Sequence, residues 1–172
     1  AAKDVKVVLS GEGADELFHG YAHLQHDAGG HASTNTTLAG IHLPEGTELD
    51  TRAVLDTLGF VPTFLRAKAS LGARARRLLC PALVDAPEHQ EPFAQLMAAI
   101  QPYLRRDDRP SPVTVAARCW TLLCLGGSIL PILNDPIELA AGVEGRPPYL
   151  DDRVAGLAAS SGERERRAGI TF

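Results

Sequence analysis

Residues 5 to 21 read VKVVLSGEGADELFHGY. Val5, Val7, Val8 and Leu9 form a short apolar run, interrupted once by Lys6, that ends abruptly in Ser10-Gly11-Glu12-Gly13. A near-continuous apolar run of this length predicts a parallel strand covered on both faces, and Leu17, Tyr21 and Leu24 behind it predict a helix over residues 14 to 25. Strand, glycine turn and helix in that order define an α/β unit. In open sheets of this class ligands bind beyond the carboxyl ends of the strands, where the loops diverge and the next helix points its positive end into the crevice. Ser10 to Gly13 would occupy that position. Gly11 and Gly13 permit close approaches that a side chain would block, as a nucleotide lying against the main chain requires. Glu12, between them, can project into the crevice and accept a proton. Asp15 suits magnesium, which takes one or two carboxylates together with phosphate oxygens and waters. Asp15 and Glu16 are also what an ordinary acidic first helical turn contains, so spacing alone leaves that plain reading open.

With 172 residues, 45% hydrophobic and 22% charged, the chain has the composition of a soluble globular protein with one core. A net charge of -4 gives no electrostatic reason to bind nucleic acid or an anionic membrane, and Arg74, Arg76 and Arg77 read as a solvated helix face. Cys80, Cys119 and Cys124 form no C-x-x-C pair, which points to reduced thiols and a cytoplasmic protein. The chain begins Ala-Ala-Lys-Asp with no initiator Met and no signal pattern, and reads as a piece of a longer protein. Residues 113 to 133 are long enough to span a membrane. Arg118, the Gly126-Gly127 pair and Pro131 interrupt them, so a core helix followed by a turn at the glycines is expected.

Residues 27 to 49, with AGGHASTNTT among them, lose all period and read as a loop. Asp50 can cap a helix through Leu58, and Pro62 can open another that runs to the neighbourhood of Leu79. In the latter, Phe64, Leu71 and Leu78 would form the buried stripe, with Arg66, Lys68, Arg74 and Arg77 in solvent. Phe93, Leu96, Met97, Ile100 and Leu104 mark a core-facing helix, and shorter helices flank Pro147-Pro148. The pattern holds about seven helices and one strand. A lone apolar strand invites association, so a homo-oligomer or a complementing chain is expected. His19, His23 and His26 would share one helix face, with His31 nearby. No carboxylate or Cys stands at matching spacing, so a polar face is preferred to a zinc site.

Two blocks carry a family resemblance. SGEGADELF-x-GY, within residues 5 to 21, resembles the signature of the synthetase domain of asparagine synthetases. WTLLCLGGSILPILNDPIELAAGVEGRPPYLDDRV, residues 120 to 154, is similar to the pattern in which a Trp-Thr helix leads to L-x-D-R-x-x-M-A-H-x-V-E-x-R-x-P-F-L-D. Trp120, Asp135, Glu138, Val143, Glu144, Arg146, Pro148, Leu150 and Asp151 fall in step with it. Between the blocks, LGFVPTFLRAKASLG is like the intervening helical region of such proteins. The resemblance spans residues 1 to 172 as a partial synthetase domain. It implies the carboxyl-terminal fragment of a doubly wound ATP-pyrophosphatase domain of the adenine nucleotide α-hydrolase-like kind, α/β in class but predominantly helical here, with one short parallel strand.

The resemblance also implies a reaction. Aspartate's side-chain carboxylate attacks the α-phosphorus of ATP to give an aspartyl adenylate and pyrophosphate, and ammonia released from glutamine by a glutaminase domain then displaces AMP. On that footing Ser10, Gly11 and Gly13 contact the nucleotide, Glu12 assists adenylate formation or takes a proton from the attacking amine, and Asp15 holds Mg2+. Glu144 and Arg146 would pair as a turn brace, and Asp151 would cap a helix. The family's pyrophosphate loop, S-G-G-x-D-S, does not occur in these residues. LGGS at 125 to 128 is no substitute, because its serine follows the glycines and no Asp-Ser comes after it. The isolated chain is therefore expected to be incomplete and inactive, with the glutaminase domain and the pyrophosphate-loop half upstream or on another chain. His19 stands where the family has Gly, Pro136 where it has Arg, and Ala141 where it has His. Pro136 also biases Asp135 away from helical geometry. β-Lactam synthetases and other natural-product amide ligases are the rival enzymes, and a non-catalytic fragment or partner-dependent subunit is the rival from outside catalysis.

Overall fold

In a computed structural model of the chain, residues 4–29, 37–38, 41–42, 50–85, 91–104 and 110–168 are described. Along the sequence these form β1 (Val7–Leu9), α1 (Ala14–Phe18), α2 (Ala22–Asp27), β2 (Thr37–Leu38), β3 (Ile41–His42), α3 (Arg52–Leu58), α4 (Thr63–Arg76), α5 (Pro81–Val84) and α6 (Pro92–Ile100). There follow α7 (Pro112–Trp120), a π-helical segment (Thr121–Asn134), α8 (Asp135–Ala140), β4 (Glu144–Arg146), α9 (Asp152–Ser160) and α10 (Glu163–Ala168). Short 3-10 turns occupy Gln101–Tyr103 and Pro148–Leu150. The molecule is thus mostly helical with a short parallel two-stranded sheet, an α/β arrangement. Where length suggested one core, the chain divides into two compact units. One combines residues 1–21 with 117–172, and the other is residues 22–116.

The first unit corrects the expectation of a single strand. β1 pairs in parallel with β4, Val7 opposite Glu144 and Leu9 opposite Arg146. Glu144 N–H donates to the Lys6 carbonyl at 2.8 Å, and Ser10 N–H to that of Arg146 at 3.3 Å. Glu-Gly-Arg has no β-branched or apolar residue, so strand propensity and alternation are both silent there, and pairing with β1 makes it a strand. Coverage on both faces is corrected too, since Val7 and Leu9 are 39% and 75% exposed.

The helix expected over residues 14 to 25 is broken. His19 takes the left-handed conformation (φ 57°), and both it and Gly20 donate to the Asp15 carbonyl, Gly20 at 3.0 Å. That conformation closes helices and suits Gly, the residue the resemblance led one to expect there. The break takes His19 off the helix that carries His23 and His26, so the three do not share one face. His31 lies outside the described residues.

No turn forms at Gly126-Gly127. The helix passes through both glycines and Pro131 in π geometry, with Thr121 Oγ1 donating to the Ala117 carbonyl at 2.9 Å and Ser128 Oγ to that of Cys124 at 3.0 Å. Helical backbone also continues through Asp135 despite Pro136, because Pro is tolerated in a first helical turn. The run from Pro112 to Ala140 is by length and composition apolar enough to cross a membrane. Val113, Ala116, Cys119, Trp120, Cys124 and Leu125 along it are buried within the protein.

In the second unit α2 packs on α4 and α3 on α6, around Leu24, Val54, Phe64, Leu65, Met97 and Ile100. Thr51, not Asp50, is the N-cap of α3 and makes no side-chain capping bond, while Asp50, one residue earlier, accepts from Arg52 N–H at 3.2 Å. α4 ends at Arg76, short of Leu79, and its predicted stripe is wrong beyond Phe64. Leu71 and Leu78 are 66% and 88% exposed, while Leu65, Ala67 and Ser70 are buried. The first turn is held from outside the helix. Asp27 accepts from Thr63 N–H (3.1 Å) and Thr63 Oγ1 (2.5 Å), which buries Thr63. Of the loop predicted over 27 to 49, residues 30–36, 39–40 and 43–49 lie outside the described residues, and β2 and β3 pair antiparallel between them.

His23 is fully buried, its ring centroid 5.8 Å from that of Phe64. Burial, with Lys68 adding to it, lowers its pKa to about 4. The folded protein therefore holds it neutral, while the unfolded chain takes up a proton below the ordinary histidine value. Stability should fall by about 3 kcal/mol as pH drops from ~6.5 to ~4 through this group alone. Urea unfolding at pH 7 and pH 4.5 checks this: the stability gap between wild type and His23→Gln should narrow at the lower pH.

Candidate functional site

The carboxyl end of β1, paired with β4, delivers the chain into the Ser10–Gly13 turn. Ala14 N–H donates to the Gly11 carbonyl at 3.1 Å and Leu17 N–H to that of Gly13 at 3.1 Å, so the turn runs directly into α1. Gly13 caps α1 at φ 90°. A Cβ there would be driven into the Leu150 side chain, whereas one on Gly11 would meet nothing within 4 Å. The two glycines thus have different uses, Gly13 for a conformation and a contact and Gly11 for open space. Gly13→Ala is expected to cost about 2 kcal/mol or more in unfolding free energy from the left-handed backbone and a displaced Leu150. Gly11→Ala should stay within ~0.5 kcal/mol in the same measurement.

Glu12 is partly buried and Asp15 exposed. Burial, then the carboxylates of Glu16, Asp15 and Glu138, raises the Glu12 pKa from its ordinary value. A carboxylate adjusted in that direction is a better proton acceptor near neutral pH. Ser10 Oγ is buried without a hydrogen-bond partner among the described residues, a polar atom beside open space over Gly11. A nucleotide hydroxyl or phosphate would satisfy it, so Ser10 and Gly11 fit such a ligand, whereas the space at Gly13, expected to face the nucleotide, is taken by Leu150. Among the described residues no group of three or more His, Cys, Asp or Glu is placed to hold a metal ion. Asp15 offers one hard oxygen donor, which suits a magnesium held mainly by phosphates and water. α1 has only five residues, so the expected help from a helix end is absent and the glycine backbone carries the fit.

Two contributors escaped the sequence reading. Glu138, on α8, lies against Gly145 so closely that a Cβ on residue 145 would collide with its carboxylate. The glycine in the Glu-Gly-Arg strand is the sequence trace of that approach. Glu16 was read as part of an acidic helix start, yet it is only 6% exposed. Its Oε1 accepts from Tyr21 Oη at 3.0 Å and Trp120 Nε1 at 2.9 Å. Burial and the Glu16 carboxylate push the Tyr21 phenol far above its ordinary range, which keeps it a donor.

The outer residues behave more simply. Arg146 Nε donates to Glu144 Oε1 at 2.8 Å, the expected pair, with both side chains in solvent. Asp151 caps α9, accepting from Arg153 N–H at 2.9 Å. Phe18 meets Tyr149 edge-on with centroids 6.1 Å apart, which holds α1 against the Pro148–Leu150 turn.

Strand, glycine turn and helix in this order form an α/β unit of the kind in which ligands bind beyond the carboxyl ends of parallel strands. The family model described as asparagine synthase matches residues 1–169, and the chain belongs to that family, one of ATP-using, amide-forming ligases. No match is found among curated proteins or among solved structures.

Proposed function

We propose that this chain supplies the amide-forming half of an asparagine synthetase site in the cytoplasm, within a doubly wound ATP-pyrophosphatase domain completed by a pyrophosphate loop from another segment. The observation that carries the reading is the Ser10–Gly13 turn, with its open space over Gly11, the buried Ser10 hydroxyl and the raised Glu12 carboxyl side by side. Ser10 and Gly11 bind the nucleotide, and Gly13 sets the path into α1. Glu12 serves the acyl-transfer chemistry. A protonated amine has no lone pair with which to attack, so a base beside the intermediate must remove its proton. Asp15 would hold Mg2+, whose charge offsets that developing on pyrophosphate. Aspartate is the acid, and ammonia drawn from glutamine by a glutaminase domain is the acceptor.

The test is product analysis on the complete protein with ATP, magnesium, aspartate and either ammonia or glutamine. AMP and pyrophosphate should appear in step with asparagine, and omitting aspartate should stop both. ADP with orthophosphate, or nucleotide turnover indifferent to any acid substrate, would overturn the reading.

A further inference from the structure

The turn that bears Glu12 leads into a helix of five residues that carries Asp15 and is too short to hold its own direction. Something outside it must fix where those carboxylates stand. Glu16 is the one acid of the stretch turned fully inward, and it bonds across to Trp120, the last residue of α7. The left-handed turn at His19 then folds the chain back so that Tyr21 reaches the same Glu16 oxygen. The Tyr21 and Trp120 rings pack together with centroids 4.8 Å apart. Two aromatic donors thus converge on one buried carboxylate.

We infer that Glu16 is a positioning residue for the reaction proposed above, clamping the Glu12 turn to Trp120 and Tyr21 without touching substrate itself. The inference rests on the adenylating reading of the site. Loss of a clamp misplaces reacting groups more than it weakens nucleotide contacts, so the damage should fall on kcat. Displacements of about an ångström far from the chemistry lower rates up to ~100-fold. Gln keeps an oxygen that can accept from both donors, whereas Leu keeps bulk and accepts from neither.

In the complete protein, Glu16→Leu should lower kcat for AMP formation about 30-fold with KM for ATP and acid within ~3-fold, and Glu16→Gln should restore most of the loss. The Trp120 indole N–H resonance, assigned by its disappearance in Trp120→Phe, should move upfield in Glu16→Leu and stay near its place in Glu16→Gln. Should Glu16→Leu fail to fold, Trp120→Phe removes one donor while keeping the carboxylate, and its kcat should fall at least ~5-fold at unchanged KM. A folded Glu16→Leu with wild-type kcat, or with a raised KM at constant kcat, overturns the positioning role. So does a Trp120→Phe of full activity. Wild type that makes no AMP defeats the adenylating reading and this inference together, which separates that failure from a failure of the clamp alone.

Discussion

Glu12→Gln in the complete protein should reduce asparagine formation by roughly 10²–10⁴-fold, the range a positioned acid or base contributes, with the fold unchanged. Gln matches Glu in shape and removes only the charge and the capacity to take a proton. The side chain is already partly buried among Asp15, Glu16 and Glu138, so losing its charge should relieve repulsion without disturbing packing. The step affected distinguishes two uses. If Glu12 takes the proton from the attacking amine, isotope exchange between pyrophosphate and ATP should survive in Glu12→Gln while amide formation collapses. If it assists adenylate formation, both should fall together. A variant that forms asparagine at the wild-type rate would remove Glu12 from the chemistry altogether.

The largest effect on stability is expected at Phe64. Its side chain is fully buried in the first turn of α4, against His23 and within the core that α2 and α4 share. Truncation to Ala should lower unfolding free energy by about 3–5 kcal/mol, through lost transfer energy plus the cavity left behind. That is a large part of the ~5–15 kcal/mol that holds a typical domain together. Leu71→Ala, seven residues on at the equivalent heptad position, should change stability by less than ~0.5 kcal/mol because its side chain is in solvent. Equal losses at the two positions in a urea titration would restore the stripe read from the sequence and contradict the buried face seen here. Phe64→Ala should also let water reach His23, which would shrink the acid sensitivity described for that residue.

How much was legible depended on whether a feature was local. The strand-to-turn transition at Leu9–Ser10, the cap at Asp151 and the Glu144–Arg146 pair lie within a few residues of their partners, and periodicity or capping chemistry marks them directly. β4 is different. Nothing in Glu-Gly-Arg favours a strand, and only the distant β1 makes it one. The α4 stripe failed because a seven-residue repeat assumes one continuous partner, whereas α4 is buried mainly along its first half. At the site, the glycines and Glu12 were visible because their spacing carries their use. Glu16 and Glu138 were not: Glu16 acts through Trp120 on a distant helix, and the approach of Glu138 to Gly145 follows from the chain path between α8 and β4 and not from any periodicity.

The pairing of β1 with β4 bears on how the chain is made as well as on what it does. Residues 22–116 emerge from the ribosome as one uninterrupted stretch and can close on themselves while synthesis continues. The other unit must wait: the partner of Val7 in β4, Glu144, is translated only after that whole stretch. Throughout that interval β1 and the glycine turn behind it lack β4. Contacts between residues so far apart in sequence are also the slow ones to form. The segment that bears Glu12 is thus made well before the strand that pairs with β1, and shielding it matters most during those seconds of biosynthesis.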